Sequence, residues 1–345
     1  LDKSEKISVW LFSGFLGSGK TTVIQALLKQ YPETRFYLIE NEIGEISIDG
    51  AILKQQVQQL VEVSGGCICC ILDYAFRDTM AELSTKIHSE NKQLNSVAVI
   101  IETTGLADPA QIRAAFSSDE FLQSQFDIKA LITCLNIQQA ETLLHEESQV
   151  RQLAARQLTA ADIILLTRAD IAESTRVQHA SELIQYWNPW AIVWPVESGQ
   201  LPIPLFTVKL KEKLIPYRLR NEDLLEQASQ FAQVEIFQPE YVFDLMAFLH
   251  RMTVLCKVQG DFLYRIKGWI QVANDPRKYW VQSAGKECWI QAGEVWTDEK
   301  PTSCLVFIGI GLQRAPLERV LYSCRSRTES AGLARTIRDN HDILK

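Results

Sequence analysis

The stretch from Ile7 to Gln30, ISVWLFSGFLGSGKTTVIQALLKQ, restricts the fold more than any other part of the chain. A β-branched apolar run passes into a loop with three glycines, and that loop into a segment with helical periodicity. Gly14 and Gly19 enclose four residues, and Lys20 and Thr21 follow directly. This is the spacing of a phosphate-binding loop between a strand and a helix. Glycines let backbone N–H groups turn inward around a β-phosphate, the helix start presents its positive end, Lys20 spans the β- and γ-phosphates, and the Thr21 hydroxyl suits Mg²⁺. The candidate nucleotide-binding residues of this segment are Gly14, Gly17, Ser18, Gly19, Lys20, Thr21 and Thr22.

The same succession of apolar run, polar loop and amphipathic stretch recurs over the first 200 residues. Strands are expected at Ile7 to Phe12, Arg35 to Glu40, Leu60 to Val63, Val97 to Glu102, Lys129 to Leu135, Asp162 to Thr167 and Ala191 to Val196. Most are apolar on both faces, as parallel strands covered by helices must be. Helical periodicity occupies Thr21 to Gln30, Leu72 to Ile87 and Gln138 to Thr159. The expected class is α/β, a P-loop NTPase domain with a mainly parallel sheet, followed by a smaller α+β domain. The expected boundaries are 1–200 for the first domain, 201–232 for a Pro-containing, charged linker, 233–324 for the second domain and 325–345 for a polar tail. In the second domain, strands are expected at Gln233 to Phe237, Arg265 to Ala273, Lys278 to Gly285 and Cys304 to Ile310. Helices are expected from Tyr241 to Cys256 and from Ala315 to Cys324, and the tryptophans at 269, 280, 289 and 296 read as sheet packing.

A formal charge of −7 argues against a general nucleic-acid binder, because phosphate backbones demand an excess of Lys and Arg. No segment approaches the roughly 20 apolar residues of a membrane span, and the polar start lacks the layout of a secretion signal. The expected location is the cytoplasm. Five of the eight cysteines (Cys134, Cys256, Cys288, Cys304, Cys324) stand singly in apolar surroundings and read as small core residues.

Two further segments qualify the phosphate loop. The run LLTRAD places Thr167, Arg168 and Asp170 after a strand, where a carboxylate can accept hydrogen bonds from guanine N1 and N2 and a guanidinium can stack on the base. Adenine offers no matching donor pair. The run IIETTGLADP ends another strand in Glu102, suited to hold Mg²⁺ through water or to orient an attacking water, with the Gly105 N–H placed to sense a γ-phosphate. Lys20, Glu102 and Gly105 are therefore the catalytic candidates, on the sheet edge where open α/β folds bind ligands.

Glu40 to Asp49 carries four carboxylates and no base. It reads either as a solvated acidic loop or as a switch segment that reaches a metal. Cys67, Cys69 and Cys70 follow two glycines and precede a helix. Buried thiols, a redox pair and a soft-metal site are three readings of this cluster. The third is favoured, because thiolates near a helix start have lowered pKa values and prefer Zn²⁺ or a similar metal to Mg²⁺. Three sulfurs leave one tetrahedral position for another donor.

Taken together, SGFLGSGKTT, ENEIGE, GGCICC, IETTGLADP, LLTRAD and DEKPTSCLVFIG resemble the CobW-type P-loop GTPases, in order and at compatible spacing from about Ile7 to Cys324. The resemblance implies slow GTP hydrolysis coupled to handling of zinc, cobalt or a related ion, with Cys67, Cys69 and Cys70 as metal ligands and Glu40 and Glu45 as further candidates. It also implies GTP or GDP, Mg²⁺ and a transition metal as ligands, with a client metalloprotein as partner and a homodimer as one candidate assembly. Many such proteins carry a His-rich linker, whereas residues 180–249 here contain no His. Two other readings stand beside this one: a metal sensor or buffer regulated by nucleotide, and a P-loop ATPase or kinase.

Overall fold

The computed structural model describes residues 6–40, 59–62, 74–90, 94–140, 149–197, 201, 205–207, 232–284, 286–297 and 301–326. The chain divides between Phe231 and Ala232 into two compact units.

The first unit is built on seven strands: β1 (Ile7–Ser13), β2 (Arg35–Glu40), β3 (Gln59–Glu62), β4 (Val97–Glu102), β5 (Phe126–Asn136), β6 (Ile163–Thr167) and β7 (Ile192–Val196). Their order in the sheet is β3-β2-β4-β1-β5-β6-β7, and every neighbouring pair is parallel. The helices are α1 (Lys20–Gln30), α2 (Tyr74–Ser89), α3 (Pro109–Ser118), α4 (Glu120–Gln125), α5 (Gln149–Ala160) and α6 (Ser174–Trp187). Strand β4 is buried at every position, as is β6, which explains their unbroken apolar sequences. Alternate residues serve opposite layers. Trp10, Phe12, Leu38, Ile100 and Ile132 join Val23, Ile24, Leu27 and Leu28 of α1 in one cluster. In another layer the rings of Phe76, Phe116 and Phe126 meet edge to face, tying α2 and α3 to the start of β5.

Local signals set the helix ends. Asp108 caps α3 by accepting from the Ala110 N–H at 3.0 Å, with Pro109 in the first helical position. Asp119 closes α3 and caps α4 through the Leu122 N–H at 2.8 Å. At its other end α5 is held by Asn188, whose side-chain amide donates to the carbonyls of Leu158, Thr159 and Ala161. Within the span expected as linker, Leu205 is buried, and Phe206 packs on the rings of Trp10, Tyr31 and Phe36. The helix expected from Gln138 is described at 137–140 and from Gln149 onward, with residues 141–148 outside the described set.

The second unit is an antiparallel sheet of β8 (Gln233–Phe237), β9 (Leu263–Gln271), β10 (Arg277–Ala284), β11 (Glu287–Val295) and β12 (Cys304–Gly309), in the order β11-β10-β9-β12-β8. Helices α7 (Leu245–Gln259) and α8 (Arg314–Ser323) supply Phe248, Met252, Leu255, Leu317 and Leu321 to the core formed with Ile266, Ile270, Val281, Leu305 and Phe307. Helix α7 starts later than its sequence suggests, because Asp244 caps it through the Ala247 N–H while Phe243 is engaged in bridges to Val272 and Arg325. Strand β11 has no counterpart among the expected strands. It is the sheet edge, half of its residues are exposed, and its pattern is correspondingly mixed. Trp269 and Trp280 meet edge to face at 5.7 Å, and the Trp269 Nε1–H donates to Thr302 O, so both rings pack within the sheet. Of the five single cysteines, four are buried and Cys288 is half-buried.

Candidate functional site

The phosphate loop crosses from β1 to α1 at the carboxyl edge of the sheet. Gly14, Gly17 and Gly19 have φ of 137°, 71° and 87°, a region other residues adopt only under strain. At Gly14 space forbids a side chain as well: a Cβ would stand 2.2 Å from Cys134 O of the neighbouring strand. Helix α1 begins at Gly19 with no side-chain cap and no acid in its first turn. Its leading N–H groups are left for an external acceptor, which is the arrangement that binds anions.

The loop's shape is fixed from several sides. The Ser18 N–H donates to Phe15 O at 3.1 Å. Asn136, the last residue of β5, donates to Gly17 O at 3.4 Å, and Gln139 donates to Leu16 O at 3.1 Å. Thr167, at the end of β6, donates to Ser18 O at 2.7 Å. Neither Asn136 nor Gln139 belongs to a recognisable motif; only the β5–β6 crossover brings them to the loop.

Lys20 is buried, and its ammonium donates to Gly14 O at 2.9 Å and Phe15 O at 3.3 Å. Thr21 Oγ1 donates to Glu102 Oε1 at 3.2 Å. A hydroxyl and a buried carboxylate thus share one spot, and hard oxygen donors of this kind fit Mg²⁺. The buried hydroxyls of Ser13, Ser18 and Thr103 have no hydrogen-bond partner among the described residues, so the loop is polar beyond what its own contacts satisfy. Beneath it the Cys134 thiol is pushed up to about 12, mainly by complete burial, with Lys20 lowering it and Glu102 raising it. Cys134 is therefore a neutral packing residue at ordinary pH.

The segment after Glu102 lies directly against the loop. The Thr103 N–H donates to Phe12 O at 2.9 Å, and a Cβ on Gly105 would come within 2.7 Å of both Leu16 N and Leu16 Cγ. Gln157 of α5 is buried and its amide donates to Gly105 O at 3.1 Å and Ala107 O at 3.0 Å. Arg156, the preceding residue, pairs with Asp108 at 3.3 Å.

The structure therefore brings Lys20, Thr21, Glu102, Gly105 and Thr167 to one edge. Arg168, in the left-handed conformation with φ 59°, and Asp170 follow Thr167 as exposed residues on either side of the buried Ala169, and Thr22 is exposed on α1. Glu40 ends β2 in register with Glu102 on one side and Glu62 of β3 on the other, so three glutamate positions form one row. Glu62 was not singled out by the sequence pattern. Glu45, Cys67, Cys69 and Cys70 lie outside the described residues.

Comparison with known proteins adds the following. The family model described as the CobW/HypB/UreG nucleotide-binding domain matches residues 8–194. The model described as the cobalamin synthesis protein cobW C-terminal domain matches residues 233–325. The zinc chaperone YjiA of Escherichia coli (strain K12) is 29% identical over 312 residues, covering 89% of this chain and 95% of that protein. The zinc chaperone CobW of a Sinorhizobium sp is 26% identical over 337 residues, covering 88% of this chain and 93% of that protein. The crystal structure of Zn(II)-bound YjiA GTPase from E. coli superposes with a TM-score of 0.70 at 24% identity, over 94% of this chain and all of that one. That likeness is one of fold.

Proposed function

The chain belongs to the CobW/HypB/UreG family, and on that premise we propose that it is a GTPase that couples nucleotide state to the capture and delivery of a transition metal, zinc foremost. The observation that carries this reading is the convergence on one sheet edge of an uncapped helix start, the buried Lys20 and the Thr21–Glu102 pair. Zinc chaperones among the relatives that match nearly the full chain support the choice of cargo.

In this mechanism the α1 N–H groups and the loop backbone hold the α- and β-phosphates, and Lys20 leaves the carbonyls of Gly14 and Phe15 for the phosphate oxygens. Bound Mg²⁺ would be held by Thr21 and Glu102, supplying positive charge to the β- and γ-oxygens. Asp170 accepts from guanine, Arg168 covers the base, and the Gly105 N–H donates to the γ-phosphate. Loss of that phosphate removes the donor–acceptor contact and frees the loop that follows Glu102. Cys67, Cys69 and Cys70, with Glu40 and Glu45 as further donors, bind the cargo ion, which passes to a client metalloprotein when the nucleotide state changes.

The test is to titrate Zn²⁺ into the full chain loaded with a non-hydrolysable GTP analogue and, separately, with GDP. Different affinities are expected, and identical ones refute the coupling. Lys20→Ala is expected to remove the nucleotide effect. Replacing Cys67, Cys69 and Cys70 with Ala is expected to remove tight Zn²⁺ binding while sparing GTP binding.

A further inference from the structure

The geometry points to Gln157 as a positioning residue that holds the 103–108 segment where the Gly105 N–H can distinguish GTP from GDP. The inference rests on the nucleotide reading above and adds a residue that no motif contains.

Three observations support it. First, the Gln157 amide donates both of its hydrogens to the segment, to Gly105 O and Ala107 O. Each carbonyl is thereby fixed in direction, and the two bonds clamp the turn in which the Ala107 N–H donates to Thr104 O at 3.1 Å, the carbonyl that shares its peptide plane with the Gly105 N–H. Second, Gln157 is 2% exposed, so water does not replace these bonds when the side chain is lost. Third, the post on which Gln157 stands is itself held. Its backbone carbonyl accepts from the Thr133 Oγ1–H at 3.0 Å, and Asn188 ties down the next carbonyls of α5. Thr133 is the Cα partner of Ser13 in the β1–β5 register, so the post is anchored on β5, directly beside the strand that leads into the phosphate loop. Arg156, one residue earlier, grips Asp108 at the far end of the same segment. The sequence 103–108 is thus suspended between Phe12 O at its start and α5 along the rest, with Gly105 pressed on Leu16 of the loop. A GDP-bound site makes no use of Gly105. A GTP-bound site does, and only if the segment is held close.

The experiment compares the full chain with Gln157→Glu, which keeps the shape but turns a carboxylate toward two carbonyls, and Gln157→Met, which keeps the length and removes both donors. Affinities for a non-hydrolysable GTP analogue and for GDP are measured by equilibrium titration alongside thermal melting. The expected result is GDP affinity close to native and a GTP-to-GDP affinity ratio lowered about tenfold, the factor that one or two buried hydrogen bonds carry. Thr133→Val, which loosens the post but leaves both Gln157 donors, is expected to melt earlier and to lower the ratio less than Gln157→Met does; a merely structural role for Gln157 predicts earlier melting with a native ratio in every variant. A native ratio in folded Gln157→Met overturns the positioning role and leaves the GTPase reading standing. Equal affinity of the native chain for both nucleotides overturns that reading and the positioning role together.

Discussion

Adding one methyl group at Gly105 tests how closely the two nucleotide-facing segments must approach. Backbone strain is not at issue, because Gly105 is not among the residues with positive φ. The obstacle is space: a Cβ would lie 2.7 Å from Leu16 N, 2.7 Å from Leu16 Cγ and 2.8 Å from Leu16 Cδ2, where ordinary contact begins near 3.4 Å. The Leu16 side chain is 59% exposed and can swing away. Its backbone N cannot, since it belongs to a loop held through Leu16 O, Gly17 O and Ser18 O by Gln139, Asn136 and Thr167. Gly105→Ala must therefore part the two backbones by about 0.7 Å, at the roughly 1–3 kcal/mol that overpacking typically costs. Urea unfolding of the nucleotide-free protein should register that loss. Single-turnover GTP hydrolysis should fall more than GDP affinity, because in the proposed mechanism only the γ-phosphate uses both segments. Leu16→Ala should fail to rescue Gly105→Ala, since it removes the movable part of the clash and leaves the rigid one. Unchanged stability with unchanged hydrolysis in Gly105→Ala would refute the close-approach argument. Full rescue by Leu16→Ala would show that the side chain, not the loop backbone, sets the distance.

Two further outcomes can be checked independently. Asp170→Asn replaces the carboxylate proposed to accept from guanine, and hydrogen bonds to charged groups contribute roughly 1.5–3 kcal/mol each, so GTP affinity should drop at least tenfold with little change for ATP; a preserved GTP-over-ATP preference in competition binding would exclude Asp170 from base selection. For Cys134, an ordinary thiol ionises near 9, whereas burial keeps this one protonated to about 12. The folded state thus retains a proton that the unfolded chain releases, so this contribution to stability is intact below pH 9 and is lost as pH rises toward 12. Over that window the native protein should lose up to about 1.4 kcal/mol per pH unit more than Cys134→Ala in urea unfolding, and parallel pH profiles would contradict the assignment.

What the sequence discloses depends on whether the signal is local. The central strands are readable because burial on both faces makes them continuously apolar, as Val97 to Glu102 and Ile163 to Thr167 illustrate. The phosphate loop is readable because its glycines answer a backbone requirement. The short helices α3 and α4 escaped the periodicity reading, although Asp108-Pro109 and Asp119 are cap signals in plain view. Strand β11 escaped because an edge strand is held by backbone pairing to one neighbour, and its inward side chains, Cys288 and Ile290 among them, alternate with exposed polar ones too irregularly to show a pattern. Asn136, Gln139 and Gln157 could not be found at all by local pattern. A glutamine in an amphipathic helix looks like solvent-facing filler, and only the placement of α5 beside the segment after β4 gives it a buried task.

The order of strands in the first unit also sets when the site can exist. Strand β1 precedes the other six in the chain, yet its neighbours are β4 and β5, whose pairings with it lie between Ala98 and Thr133. Thr167, which closes on Ser18, comes later still. A nascent chain that has emerged only as far as α2 carries the whole phosphate loop and has nowhere to seat it. Such long-range parallel pairings are slow to form, because the entropy of closing large loops is lost before the contacts that offset it are made. Nucleotide can therefore favour folding only at the end of the process, once β6 is in place. During synthesis the chain must reach that point with its central strand waiting for partners.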